Sequence, residues 1–434
     1  MTQAKIEGVR RLAGSIRVPG DKSISHRALL FSALSDGPCL LKGLLKGADV
    51  LSTWKCLEAL GVRIEENSEG VLVHGVGIHG LKAPGEVLDC GNSGTTMRLL
   101  MGILAGQPFA SRLTGDTSLN GRPMGRVVEP LKQMGARITE LRAGPTERVI
   151  RIDGTPLRAF RYELPVASAQ VKSALLLAGL YASGSTEIVE PVASRNHSEL
   201  MLAARGVNLQ REGELLRIEG GGRLRAMPME IPGDISSAAF FLVGASVVPE
   251  GEVVLQDVGV NPTRTGLVEV LESMGARIRT ERPRDWGGEA VADLIVTPSA
   301  LRGREVGGSL IPRMIDEIPV FCVAAALAQG ETWIRDAAEL RVKESDRITA
   351  VVEEFKKLSI NIIPLEDGMR LEGPQQILGG HGASRGDHRM AMALAIAALR
   401  ASSPVTIDQV DSVEVSYPGF WQDYGHLGGR AELS

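Results

Sequence analysis

Aromatic side chains make up only 4% of this 434-residue chain, and its four cysteines, Cys39, Cys56, Cys90 and Cys322, stand far apart. Scattered cysteines with no C-x-x-C pair and no histidine-rich companion argue against a disulfide framework and against zinc. They fit a reducing compartment. No run approaches the roughly 18 uncharged apolar residues of a membrane span, and Met1 to Leu12 holds no apolar core of the secretion-signal kind. The expectation is a cytoplasmic protein with no membrane partner. Charge of one sign is also lacking: 48 basic residues face 52 acidic ones, for a net charge of −4. Nucleic acid would find no global basic field here, so any anion site must be local. The zinc-protease pattern H-E-x-x-H, the hydrolase elbow G-x-S-x-G, the Walker A loop and the dinucleotide fingerprint G-x-G-x-x-G are all missing. Neither a metal nor a cofactor is expected.

What is present is glycine, 51 residues of it, and a repeat. Leu57-Glu58-Ala59-Leu60-Gly61-Val62-Arg63-Ile64 recurs as Leu131-Lys132-Gln133-Met134-Gly135-Ala136-Arg137-Ile138 and as Leu271-Glu272-Ser273-Met274-Gly275-Ala276-Arg277-Ile278, with looser copies at Gly206 and Ser359. Each reads as an amphipathic helix, a C-terminal Gly or Ser, and the start of a strand. A second series interleaves with it. Small polar residues lead into nearly all-apolar helices at Ser23, Ser93, Ser168, Ser236, Asp316 and Asp387. Helices apolar on every side are buried rather than surface-lying. Six units of about 70 residues are therefore expected, too long a chain for one core, so two lobes of three units. The Pro-Gly-Asp turns at Pro19-Gly20-Asp21 and Pro232-Gly233-Asp234 are the natural crossings between lobes.

Chemistry concentrates where the apolar helices begin. Lys22, Ser23 and Arg27 crowd the first turns of one, where free N–H groups and the positive dipole end favour an anion. Gly91-Asn92-Ser93-Gly94-Thr95-Thr96 is a Gly- and hydroxyl-rich turn that lets backbone N–H groups approach a ligand. Arg122 closes the loop Gly115–Met124 and can fork a carboxylate or phosphate. Ser168-Ala169-Gln170 and Ser194-Arg195-Asn196-His197 hold the same phase of the repeat. Arg341–Arg347 packs five charges into seven residues, while Asp316-Glu317 and Asp387-His388-Arg389 stand beside very apolar segments. Charge in such places is costly unless paired or functional. Taken singly, each motif also reads as a plain helix cap or a solvated loop; the six helix N-termini together point to one polar cleft for a small polyanion.

Together these motifs resemble the 5-enolpyruvylshikimate-3-phosphate synthase family of enolpyruvyl transferases, over nearly the whole chain, from the N-terminus to about Asp423. The resemblance implies a two-lobed, inside-out α/β barrel of six βαβαββ repeats, three per lobe. One lobe would be discontinuous, 1–20 with 232–434, the other 21–231, and the active site would lie in the cleft between them. The implied reaction moves the enolpyruvyl group of phosphoenolpyruvate to the 5-hydroxyl of shikimate 3-phosphate and releases phosphate, on the path to aromatic amino acids. Such addition–elimination needs an acid/base pair and dense cationic support.

Carried over by resemblance, Lys22, Ser23, Arg27, Ser168, Ala169, Gln170, Ser194, Arg195, Asp316 and Lys343 would hold shikimate 3-phosphate. Lys22, Gly94, Arg122, Gln170, Arg347 and Arg389 would hold phosphoenolpyruvate. Asp316 and Glu344 would transfer protons with Lys22 in support, the order between the two carboxylates being open, and Asn92, Thr95 and His388 would lie nearby. Ala169, Arg195 and Val415 depart from some members; Gly91-Asn92-Ser93-Gly94-Thr95-Thr96, Arg195 and Val415 together resemble the family's second class, which includes glyphosate-tolerant enzymes. Ala often stands in that class where this chain has Gly94, so tolerance is not implied. The expected partners are the two small substrates, with no nucleic acid and no membrane, and the chain is expected to be a monomer. Two alternatives are weighed: UDP-N-acetylglucosamine enolpyruvyl transferase, which has a cysteine where this chain reads Asp116-Thr117-Ser118-Leu119, and a non-enzymatic repeat scaffold.

Overall fold

Alternating apolar residues in short strands bury one face of each strand, and the repeat decides how those strands assemble. A computed structural model describes residues 2–434 except 143, 145 and 146. Among the described residues the strands form six four-stranded sheets of one common order. In one, Leu88–Asp89 runs parallel to Ala110–Thr114, which is antiparallel to Arg148–Asp153, itself antiparallel to Arg137–Arg142. The same parallel–antiparallel–antiparallel order recurs around Pro38–Lys42, Ser185–Val189, Gly330–Ile334 and Val405–Asp408. In the sixth sheet Val253–Gly259 holds the equivalent place. Burial alternates as one solvated face requires: Cys39 and Leu41, Val71 and Val73, and Ile150 and Ile152 point inward.

The chain divides into two compact units, Met1–Pro19 with Pro232–Asp285 and Ala290–Ser434, and Gly20–Ile231 with Trp286–Glu289. Each contains three of the six sheets. Two leading strands are exchanged. Gly14–Ile16 precedes the Lys22–Ala33 helix yet pairs with Val253–Gly259, whereas Met229–Glu230 precedes the Ile235–Val247 helix yet pairs with Pro38–Lys42. Both exchanges fall at Pro-Gly-Asp turns. Gly20 is required there by contact: a Cβ would lie 2.0 Å from the Gly43 carbonyl oxygen. After each turn an aspartate caps a helix, Asp21 accepting from the Ile24 N–H and Asp234 from the Ser236 N–H, both at 2.8 Å.

The apolar helices are buried as their composition demands. Phe240, Phe241, Leu242 and Val243 in Ile235–Val247, and Val320, Phe321, Cys322 and Val323 in Ile318–Leu327, are at most 1% exposed. Each large side chain so buried contributes about 1.5–3 kcal/mol relative to exposure. In the Gly20–Ile231 unit, Gly94–Ala105 and Ala169–Gly179 pack closely, since a Cβ on Gly102 would meet the Ala174 carbonyl at 2.2 Å. Gln170 bonds Thr95 one or two turns earlier, so the two helices run parallel with their N-termini side by side.

The helix starts add three details to the sequence reading. Asp21 and Asp234 are the capping residues of the Lys22–Ala33 and Ile235–Val247 helices, because each side chain stands one step before the first helical turn. Ile318–Leu327 begins two residues after Asp316 and has no side-chain cap, Pro319 having removed one N–H that a cap would serve. Gly115–Met124 is not all loop, since Asp116 caps a short helix, Thr117–Gly121.

The amphipathic helices end alike. Gly61, Gly135, Gly206, Gly275 and Ser359 all have positive φ. Around each, the next N–H reaches back five residues: Val62 to Leu57, Ala136 to Leu131, Val207 to Leu202, Ala276 to Leu271 and Ile360 to Phe355. A sixth such end, absent from the sequence reading, closes Phe420–His426 at Gly428, with Gly429 bonding the Tyr424 carbonyl. Backbone conformation alone is at stake at Gly135, where a Cβ would find its nearest neighbour at 3.6 Å. Gly135→Ala is expected to cost about 1 kcal/mol and Ser359→Gly to stabilise by a similar amount, measured as shifts of the urea midpoint at constant m-value.

Candidate active site

In the Gly20–Ile231 unit the first turns of three buried helices gather their polar residues. Lys22 Nζ lies 3.2 Å from Asp49 Oδ2. The Arg27 guanidinium is buried and donates to Ser198 Oγ and Ser173 Oγ, both at 2.7 Å, and to the Ser23 carbonyl at 2.9 Å. Gln170 is held from two sides: Arg98 donates to its Oε1 at 2.6 Å, and its amide donates to Thr95 Oγ1 at 2.9 Å. Arg122 donates to Asn92 Oδ1 at 2.6 Å, and Asn92 donates in turn to Asp116. Gly94 opens its helix beside both arginines, since a Cβ there would come within 2.6 Å of Arg98 and 3.4 Å of Arg122. Ser168 caps the Ala169–Gly179 helix, and Ser194 donates to Glu190. Arg195 is half-buried in the loop that follows.

The other unit gathers opposite charges around one arginine. Arg347 is 1% exposed and donates to Asp387 Oδ2 at 2.8 Å, Glu344 Oε2 at 2.7 Å and Asp316 Oδ1 at 3.2 Å. Arg389 approaches the same Asp316 oxygen at 3.7 Å. Burial alone would lower the Arg347 pKa, but Asp387, Glu344 and Asp316 outweigh it and raise it. Burial likewise opposes ionisation of Asp387, yet Arg347 holds its carboxyl below the usual aspartate value. Desolvation pushes the Lys343 ammonium below the ordinary lysine value against the pull of Asp316 and Glu339. His388 is buried beside Asp387, its Nδ1 4.0 Å from Oδ1. Removing one member of such a cluster would strand a buried charge at a cost of about 3–5 kcal/mol.

Lys22, Ser23, Arg27, Asn92, Gly94, Thr95, Arg122, Ser168, Ala169, Gln170, Ser194 and Arg195 thus belong to one unit, and Asp316, Lys343, Glu344, Arg347, His388 and Arg389 to the other. These two constellations, one of helix N-termini with basic and hydroxyl side chains, one of paired carboxylates and guanidiniums, invite comparison with known proteins. The family model described as EPSP synthase (3-phosphoshikimate 1-carboxyvinyltransferase) matches residues 6–424. The chain belongs to the EPSP synthase family. A 3-phosphoshikimate 1-carboxyvinyltransferase of Bacillus subtilis is 49% identical over 428 residues, covering 98% of this chain and 100% of its own. One from Alkalilimnicola ehrlichii is 52% identical over 418 residues, covering 96% and 94%. An EPSP synthase structure from Acinetobacter baumannii superposes with a TM-score of 0.89 at 44% identity, covering 100% of both chains. Each of these relatives carries the EPSP synthase name, and the UDP-N-acetylglucosamine reading and the scaffold reading are both set aside.

Sequence reasoning assigned no site role to several residues that bind the EPSP synthase motifs together. Asp49 pairs Lys22, Arg98 clamps Gln170, Asp387 holds Arg347, and Glu190 holds Ser194. Only Asp387 carried a signal, its place before an apolar helix. Another is His26, whose Nδ1 lies 2.7 Å from Thr53 Oγ1. Thr53 continues to Thr96, and Thr96 to Ser93, so hydroxyls link the first turns of separate helices. Burial, then Lys22 and Arg27, lower the His26 pKa well below 6.5. The unfolded chain therefore binds a proton that the folded chain refuses, and stability falls as pH drops below about 6.5. Urea midpoints are expected to decline between about pH 7 and pH 5, with a shallower decline in His26→Gln; equal slopes would contradict this origin.

Proposed function

We propose that the two constellations serve one reaction, in which the 5-hydroxyl of shikimate 3-phosphate adds to C2 of phosphoenolpyruvate while C3 gains a proton. The tetrahedral adduct then loses that carbon's proton and its phosphate, leaving the enolpyruvyl ether. The Arg347 cluster is the observation that carries this reading. It sets two carboxylates, Asp316 and Glu344, on one buried guanidinium, so that anion binding and proton transfer are coupled through a single group.

Asp316 touches both Arg347 and Arg389, which favours its ionised form, and it acts as the base toward the hydroxyl. Glu344 shares the Arg347 fork. When a substrate anion takes that place, the carboxyl loses its cation and gains a proton, which it delivers to C3. Lys22, Arg122, Arg347 and Arg389 hold phosphoenolpyruvate with the N-terminal N–H groups at Gly94, and Gln170, held by Arg98 and Thr95, is fixed between the substrates. Ser23, Arg27, Ser168, Ser194, Arg195 and Lys343 hold shikimate 3-phosphate, with backbone support at Ala169. Binding two polyanions together requires this density of cations, each supplying a charge-assisted bond of about 1.5–3 kcal/mol.

Addition–elimination makes C3 a methyl group transiently, so turnover in deuterium oxide is expected to place deuterium in the vinyl group of the product. In Glu344→Gln, kcat is expected to fall about 10²- to 10⁴-fold with loss of that exchange, read by mass spectrometry. Unimpaired exchange in this variant would remove Glu344 from the acid role.

A further inference from the structure

Beneath the Ser168 and Ser194 turns lies a network of four charges, three of them buried, that the reaction does not use. Lys172, 0% exposed, stands 2.8 Å from Glu190 Oε1 and 2.7 Å from Glu199 Oε1. Arg211 closes the ring, with NH2 2.6 Å from Glu190 Oε2 and Nε 3.0 Å from Glu199 Oε2. Two cations and two anions balance, so the network is neutral as it stands. Desolvation alone would raise the Glu190 pKa, but Lys172 together with bonds from Ser194 and Arg211 holds the carboxyl below its usual range. Glu190 is therefore an ionised, acceptor-only group.

That state fixes the direction of the bonds to Ser194. Its N–H donates to Glu190 Oε1 at 2.9 Å and its hydroxyl to the same oxygen at 2.5 Å, while its carbonyl accepts from Lys172 at 3.4 Å. A serine hydroxyl has one proton. With that proton committed to Glu190, Ser194 Oγ can offer a phosphate dianion nothing but lone pairs.

We propose that Glu190 is a positioning residue that latches the Ser194 hydroxyl in the free protein, and that shikimate 3-phosphate gains this hydroxyl only by turning it away from Glu190. The inference rests on the assignment of Ser194 to the substrate phosphate. One charge-assisted bond is exchanged for another, so Ser194 adds selectivity and order to phosphate binding but little net affinity. Only a ligand whose oxygens compete with a carboxylate can open the latch.

A double-mutant cycle on the intact protein tests this, with shikimate 3-phosphate affinity measured by calorimetry and both KM values by steady-state kinetics. In Glu190→Gln a neutral acceptor releases the hydroxyl, and affinity for shikimate 3-phosphate is expected to rise about three- to tenfold. The change should appear in KM for that substrate and leave KM for phosphoenolpyruvate unmoved, whereas a merely structural role would weaken both. Ser194→Ala is expected to cost less than about threefold in the parent and about tenfold or more in Glu190→Gln. The residual effect of Glu190→Gln in the Ser194→Ala background isolates the added positive field. Equal costs of Ser194→Ala in both backgrounds would overturn the latch and leave Ser194 as a phosphate ligand. No cost in either would show that Ser194 does not touch the phosphate, and the assignment itself would fall. Should Glu190→Gln not fold, proton NMR of the parent decides: a protected downfield hydroxyl signal, absent from Ser194→Ala, should vanish on adding shikimate 3-phosphate, and its persistence would overturn the proposal.

Discussion

A helix that is apolar on every side leaves only its ends for chemistry, and this constraint governs the protein. In the Gly20–Ile231 unit, Arg27 reaches Ser173 and Gln170 reaches Thr95, so the first turns of three such helices stand together. In the other unit Ser236 bonds Glu317, and Arg347 joins Asp316 to Asp387, again at helix starts. Parallel helices bring like dipole ends together, which is unfavourable unless negative charge lies among them. Asp21, Asp234 and Asp387 supply part of that charge as caps, and an anionic substrate supplies the rest. The fold therefore creates an anion site before any particular side chain is chosen.

Side-chain choice then converts attraction into chemistry. Three carboxylates, Asp316, Glu344 and Asp387, share Arg347. Asp387 is fully buried and fixes the guanidinium, while Asp316 and Glu344 are partly exposed. One arginine thus joins a buried structural anion to the two carboxylates proposed to transfer protons. Ser194 shows the same economy of polar groups on the other unit, its hydroxyl proton already placed on Glu190. Both arrangements are satisfied within the free protein, so in the proposed reaction substrate binding would proceed by exchange of partners rather than by exposure of bare charges.

The repeat was legible because it is a local pattern: a glycine that must adopt positive φ, and a polar residue that must precede an apolar helix. Gly61, Gly135, Gly206 and Gly275 could be read directly, whereas Gly428 could not, because Gly425-His426-Leu427-Gly428-Gly429 offers several glycines and no copy of the Leu-x-x-Met-Gly wording. Distance along the chain hid the rest. Asp49 is 27 residues from Lys22, and Arg98 is 72 from Gln170. Glu190 precedes Ser194 by only four residues, yet a glutamate at the end of a strand looks like a solvated surface charge until Lys172 arrives from another helix. Motif wording finds the polar residues at helix starts and misses those that hold them.

The role proposed for these helix ends is transfer of the enolpyruvyl group of phosphoenolpyruvate to shikimate 3-phosphate. Phosphate release measured side by side with shikimate 3-phosphate and with UDP-N-acetylglucosamine as acceptor tests it most directly. Release with shikimate 3-phosphate alone is the predicted result. Release with the sugar nucleotide alone, or with neither, would contradict it.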